Sequence, residues 1–225
     1  MLLIANTVRR LREYSRRHIF GRKRASQIQA AFPEFCYQPF PTSNDIYDLV
    51  SFPHLAEDFE LSISQHLIGG RPEMYNMIDD QRDNVHRSVF DLRLVSRAVG
   101  GGSAYSHTSS IFLFSLPEHQ LTPFSISIES FGFTTLWGDD PDIDIEDEFV
   151  FSKSFYLTGP DRDAVTRIFD KTLVRFFRSH TLLFAAGSLD VSPNAIIFRH
   201  GNAIAPKDIR STLDALSKLI ELLAR

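Results

Sequence analysis

From Phe59 to Glu129 apolar and polar residues alternate with a period of two, and this alternation restricts the possible folds more than any other feature of the chain. Successive side chains of a strand point to opposite faces, so the pattern predicts strands with one apolar face. Phe59, Leu61 and Ile63 alternate with Glu60, Ser62 and Ser64, and further strands are expected at Met74–Asp80, Val85–Ala98, Ser109–Leu116 and Phe124–Glu129. Gly69-Gly70-Arg71-Pro72 and Gly100-Gly101-Gly102-Ser103 punctuate the run as turns, because glycine reaches positive φ at little steric cost. A short helix, Asn44–Ser51, is expected ahead of it, capped by Thr42 or Ser43. Five or six strands joined by short turns predict an antiparallel meander or roll over residues 34–130.

The last 75 residues have a different pattern. Phe149, Phe151, Phe155 and Leu157 predict a strand that Gly159-Pro160 ends, and Asp161 then stands at a helix N-cap position. Val165, Ile168, Phe169, Leu173, Phe176 and Phe177 form one stripe of a helix over Arg162–Ser179. Two strands, Thr181–Ala186 and Ala195–Arg199, are expected next, with Gly187–Asn194 as the loop between them. Pro206 opens a closing helix, Lys207–Ala224, with Leu213, Leu216 and Ile220 on its core face. The fold class is therefore α+β: an N-terminal basic helix over 1–27, the meander, and a β-α-β-β-α layer over 148–225. No Pro/Ser-rich linker divides residues 28–225, which are expected to share one core.

Charge separates the N-terminus from the rest. Residues 1–24 hold Arg9, Arg10, Arg12, Arg16, Arg17, Arg22, Lys23 and Arg24 against Glu13 alone, a balance of +7. The remainder carries −11, giving the overall −4. Ile4, Val8, Leu11, Ser15 and Ile19 recur at helical steps, so this segment is expected to be an amphipathic helix that Gly21 ends. A second helical piece, Ser26–Phe32, is closed by Pro33. The eight cations are the candidate binding residues, and the segment fits an anionic membrane surface with the apolar stripe inserted, another protein, or plain packing of its apolar stripe on the domain with the arginines outward or laid against the acidic body. Nucleic acid suits them poorly, because the body is acidic and Tyr14 and Phe20 are the only aromatic rings of the Phe, Tyr or Trp type among them.

Other residues offer little chemistry. The run from Asp139 to Glu148 has seven carboxylates in ten residues, yet lacks the glycine and spacing of a calcium loop. It reads as a solvated connector guarding a sheet edge, with Ile143 and Ile145 turned inward. Eight histidines are scattered without the pairing that a zinc site needs, and there is no G-x-S-x-G elbow. Cys36, the single cysteine, lies between Phe35 and Tyr37 and is expected to be buried and unreactive. No disulfide framework, metal or cofactor is expected. One cysteine, no apolar run of about 18 residues and no secretory signal predict a cytoplasmic protein, membrane-associated through its first helix. The function expected is that of a non-enzymatic binding or scaffold domain. The rival class is an enzyme that assembles Asp142–Asp144 with His180 or His200.

Several short motifs resemble a broad group of uncharacterised bacterial proteins. Leu61-Ser62-Ile63-Ser64 through Leu67-Ile68-Gly69-Gly70 and Leu121-Thr122-Pro123-Phe124-Ser125-Ile126 are followed by Asp142-Ile143-Asp144 and Glu148-Phe149. Phe155-Tyr156-Leu157-Thr158-Gly159 and Asp161-Arg162-Asp163-Ala164-Val165 continue the series. The resemblance spans most of residues 28–224 and implies a domain of unknown function commonly found behind one or two N-terminal membrane helices. It brings no catalytic residues with it.

Overall fold

The computed structural model describes residues 22–41, 73–82, 84–96, 105–128 and 141–225. Residues 22–31 form α1, and β1 (Cys36–Gln38), β2 (Glu73–Arg82), β3 (Val85–Ser96), β4 (Tyr105–Ser115) and β5 (Phe124–Ile128) follow. Next come α2 (Phe149–Ser152), β6 (Phe155–Thr158), α3 (Arg162–Ile168), α4 (Lys171–Ser179) and α5 (Thr181–Phe184). The chain closes with β7 (Gly187–Ser192), β8 (Ala195–His200) and α6 (Pro206–Leu223). The readings made of residues 1–21, Asn44–Ser51, Phe59–Pro72, Gly100–Ser103 and Asp139-Asp140 lie outside the described residues.

All eight strands join one antiparallel sheet in the order β1-β2-β3-β4-β8-β7-β5-β6. The meander holds from β1 to β4 and then stops. Its expected fifth strand crosses to the far half because the connection after β4 is tied to the β7–β8 turn. Leu116 N donates to Asn194 O (2.7 Å) and Leu121 N to Pro193 O (2.6 Å). β5 therefore enters between β7 and β6, which makes the two halves one sheet.

Period two then sorts the side chains. One face carries Val89, Phe112, Phe114, Ile126, Leu157, Leu189 and Phe198, all buried in one cluster with Phe151, Phe177, Phe184 and Leu216 of the helices. On the other face Met77, Phe90, Leu92, Ile111, Leu113 and Ile197 are buried at β2, β3, β4 and β8, and Ser125, Ser127, Thr158, Ser188 and Asp190 at β5, β6 and β7.

The last third departs from its expected elements at four places. Phe149 and Phe151 belong to the helical turn α2 and not to a strand: Phe151 is fully buried, Phe149 is 69% exposed, and the strand starts only at Phe155. The expected helix Arg162–Ser179 breaks at Phe169-Asp170. Asp161 caps α3 by accepting from Ala164 N, and Asp170 caps a second start by accepting from Thr172 N and Leu173 N. Thr181–Phe184 is a helical turn, and the expected loop at Gly187–Asn194 is strand β7 closed by a Pro193-Asn194 turn. The reason is packing. Gly187 lies so close to β8 that a Cβ there would stand 2.6 Å from Arg199 O and 2.8 Å from the Phe198 ring. Pro206 starts α6 as expected, and Leu216 and Ile220 are buried.

Candidate functional site

The strand β3 reads Val89-Phe90-Asp91-Leu92, so period two puts Asp91 beside Val89 on the helix-covered face. Asp91 is only 4% exposed. Removing a carboxylate from water costs several kcal/mol unless hydrogen bonds replace the lost hydration. Here four are supplied. Arg24 Nε donates to Oδ2 (2.6 Å) and Arg24 Nη2 to Oδ1 (2.7 Å), the two-pronged arrangement that a guanidinium makes with a carboxylate. Asn76 Nδ2 donates to Oδ2 and Ser110 Oγ to Oδ1, each at 3.0 Å.

The partners are themselves fixed. Arg24 Nη1 donates to Ile204 O (2.6 Å), and Ile204 N donates to Ser110 Oγ (3.0 Å). Asn76 sits at a bulge between Tyr75 and Ile78 with φ of 54°, a conformation that asparagine tolerates better than most residues. Its backbone N donates to Pro39 O, and its Oδ1 accepts from Tyr37 Oη (3.0 Å). Burial, and then the charge of Asp91, push the Tyr37 phenol above its ordinary value, so it stays a donor.

The far end of α1 is held as well. Arg210 of α6 donates to Ala31 O and to Glu34 Oε1, each at 2.8 Å, and its guanidinium carbon lies 4.7 Å from the centre of the Phe32 ring. Ile28, Phe32 and Phe35 are buried between these two attachments. A carbonyl at a helix end, a carboxylate and an aromatic face are all good partners for arginine.

This geometry decides the place of three candidate cations. Arg22 and Lys23 are exposed, whereas Arg24 is largely buried and committed to Asp91, so it is not a free surface charge. Arg9, Arg10, Arg12, Arg16 and Arg17 lie outside the described residues. The sequence reading missed Asp91: it is in phase with Val89 on β3, but Arg87 and Arg93 share that phase and mask the signal. The partner of Asp91 stands 67 positions away and carried no such mark.

The acidic connector behaves as its alternation predicts: Ile143 and Ile145 are buried, and Asp144, Glu146 and Asp147 are exposed. Asp142 Oδ1 accepts from Leu157 N (3.0 Å) and Ile143 N donates to Leu157 O (2.7 Å), so the connector occupies the outer edge of β6. Among the described residues no three His, Cys, Asp or Glu side chains gather as metal ligands. Of the dispersed acid–histidine set, both histidines have other partners. His200 Nδ1 is engaged with Asn202 O (2.7 Å) on β8, three strand spacings from β6, or roughly 14 Å from the strand that Asp142 borders. His180 stacks on Phe176 with ring centres 4.2 Å apart, its Nδ1 2.8 Å from Phe176 O. Cys36 is exposed on the edge strand β1, contrary to its expected burial, because alternation turns Phe35 inward and Cys36 outward.

A second polar cluster escaped the sequence reading because β7 was taken for a loop. Asp190 is 3% exposed, accepts from Ser125 Oγ (2.5 Å) and pairs with Arg199. Around it Thr158 Oγ1, Ser188 Oγ and Arg199 Nε are buried without hydrogen-bond partners among the described residues.

Fold and site together define an α+β domain with one eight-stranded antiparallel sheet among the described residues and a helix, α1, rooted on a buried carboxylate. Among solved structures, the crystal structure of the mycobacterial trehalose monomycolate transport factor A, TtfA, is similar in fold. The TM-score is 0.56 and the identity 14%, over 90% of this chain and 93% of that one. No protein-family model matches the chain, and no curated protein sequence matches it. Among the described residues no helix is long and apolar enough to cross a membrane.

Proposed function

We propose that this chain is a non-enzymatic binding or scaffold domain, of the uncharacterised bacterial kind its motifs resemble, stationed at the cytoplasmic face of an anionic membrane by its basic N-terminal segment. The observation that carries this reading is the root of that segment. Arg24 is fixed to Asp91 and Ile204, and Arg210 fixes the far end of α1, so the last cations of the basic stretch stand on a helix fastened at both ends. Rigid attachment is what transmits the position of an arm to its domain; an arm on a loose linker would leave the domain free to tumble. Arg9, Arg10, Arg12, Arg16 and Arg17 supply the attraction, each on the order of 1 kcal/mol near an anionic surface, and Ile4, Val8 and Leu11 supply depth. A neighbour of the same fold is named for trehalose monomycolate transport, which agrees with a role beside lipid.

The test is co-sedimentation of the full chain with phosphatidylserine-containing and with neutral vesicles. The wild type pellets with the anionic vesicles only, and changing Arg9, Arg10, Arg12, Arg16 and Arg17 to Gln abolishes pelleting without altering the thermal melt. Equal pelleting by the two proteins would defeat the reading.

A further inference from the structure

We infer that the basic arm, residues 1–20, has a resting place on the domain itself: the exposed apolar turn α2 with the acidic connector before it, which the arm leaves for an anionic lipid surface. Phe149 is 69% exposed and Val150 58%, although the isoleucines of the connector are buried. Ile145 N donates to Ser152 Oγ (3.0 Å) and Glu148 N to Ile145 O (3.1 Å), so connector and turn form one unit. Two large apolar side chains open to water on one four-residue turn form a small surface for a partner, and the charge beside them selects that partner.

Residues 142–153 hold Asp142, Asp144, Glu146, Asp147 and Glu148 against Lys153, whose Nζ lies 4.3 Å from the centre of the Phe149 ring. Asp142 accepts from Leu157 N and Glu148 lies 3.5 Å from Arg178, whereas Asp144, Glu146 and Asp147 are exposed. The acidic excess survives when Asp170, Lys171, Arg175 and Arg178 of α4 are counted with them. The arm is the complement of this surface. It carries Arg9, Arg10, Arg12, Arg16 and Arg17 against Glu13, and Ile4, Val8, Leu11 and Ile19 recur at helical steps among them. An apolar stripe flanked by cations meets an apolar pair flanked by acids, and the same acids repel an anionic bilayer.

The arm is also long enough. Arg24 is bound to Asp91, and the register carries the row of Asp91 through Ser110, His200, Gly187 and Ile128 to Phe155. Phe155 is buried on the helix-covered face, as Asp91 is, and its ring stacks on that of Phe151 in α2 at 5.0 Å. The root of α1 and the turn α2 therefore stand at one level of one face, five strand spacings or roughly 24 Å apart. A helix of 20 residues spans roughly 30 Å, and Gly21 stands between arm and α1, where it permits a turn at little steric cost. One arm cannot cover two partners at once, so the connector is an internal competitor that only a densely anionic surface displaces.

The competition rests on the membrane reading of the domain, the docking does not, and the experiment keeps the two apart. Trypsin cleavage at Arg9–Arg17 of the full chain is timed by mass spectrometry at low salt, without vesicles. The wild type is compared with Asp144→Asn/Glu146→Gln/Asp147→Asn and with Phe149→Ser. All four positions are exposed, and asparagine tolerates the φ of 64° at Asp147, so circular dichroism stays unchanged. Docking shields the arm, and each exposed ion pair is worth about a factor of two to five, so the triple variant is cleaved about tenfold faster than the wild type. Phe149→Ser is cleaved faster as well. Wild-type cleavage rates in both variants overturn the inference, whatever the vesicles show. Faster cleavage together with stronger pelleting on phosphatidylserine vesicles supports docking and competition. Faster cleavage in a chain that never pellets supports the docked arm and defeats the membrane reading, the competition with it.

Discussion

Replacing Arg24 by methionine keeps the packing of its aliphatic stem and removes the guanidinium, leaving Asp91 buried with only Asn76 and Ser110 as donors. Breaking a buried ion pair by removing one partner costs about 3–5 kcal/mol, because the remaining charge keeps its desolvation penalty. Two features place this case at the lower end: the Arg24 side chain is 20% exposed, so water can reach the vacated space, and two neutral donors remain. Of the three charge-assisted hydrogen bonds lost, the two to Asp91, at about 1.5–3 kcal/mol each, give a compatible figure, and the third goes to Ile204 O. The expectation is about 3 kcal/mol. With a urea m-value near 3 kcal/mol/M for a chain of this size, the unfolding midpoint falls by about 1 M at unchanged slope. Asp91→Asn alone costs less, about 1–2 kcal/mol, since the arginine can turn toward solvent. Combined, the two changes are less harmful than their sum by at least about 1 kcal/mol, the coupling expected of directly bonded partners. A midpoint within about 0.2 M of wild type for Arg24→Met, or strictly additive single effects, would refute the claim that Asp91 roots α1.

Other consequences are as direct. Leu216→Ala, at a fully buried position of α6, costs about 2–5 kcal/mol in a denaturant titration. Gly187→Ala forces a Cβ against Arg199 O and the Phe198 ring, so the purified variant melts well below wild type, whereas an unshifted melt would show that β7 and β8 do not approach so closely. Glu34 is held below its ordinary 4.5 by a hydrogen bond from its own backbone and then by Arg210, so its stabilisation is full above 4.5 and lost as the pH falls through the lowered value. Glu34→Gln removes that part of the acid slope. The Tyr37 phenol is raised, so its contribution is full below 10.0 and lost as the pH rises toward the higher value, read as late phenolate absorbance that Tyr37→Phe abolishes.

What the sequence revealed follows the strength of its periodicities. β2, β3, β4 and β5 were legible because their alternation ran long enough to exclude a helix, and α6 because Pro206 and an unbroken apolar stripe marked it. Leu182-Leu183-Phe184 was ambiguous: a short apolar run fits a strand or a helical turn equally. The turn won because Thr181 Oγ1 donates back to Arg178 O (2.8 Å) where α4 ends. Gly187-Ser188-Leu189-Asp190-Val191-Ser192 has the composition of a loop, yet every one of its residues is buried in the sheet. Leu189 and Val191 enter the helix-covered core while Ser188 and Asp190 find the polar half of the other face. Composition cannot show that a polar residue has a polar neighbour waiting on the next strand, 65 positions away in the chain. The same holds at the candidate site. Asp91 was passed over, because Arg87 and Arg93 share its strand phase, and its pairing with Arg24 is created by the fold, as is the exposure of Phe149 and Leu182.

The most direct test of the account is the dependence of vesicle partitioning on lipid charge and salt for the intact chain. Binding driven by the basic segment rises steeply with the phosphatidylserine fraction. It collapses as added salt shortens the Debye length from about 10 Å at 0.1 M to about 3 Å at 1 M. Partitioning that is flat in both variables, or absent at every composition, would contradict a membrane-stationed domain and leave the basic segment to a protein partner.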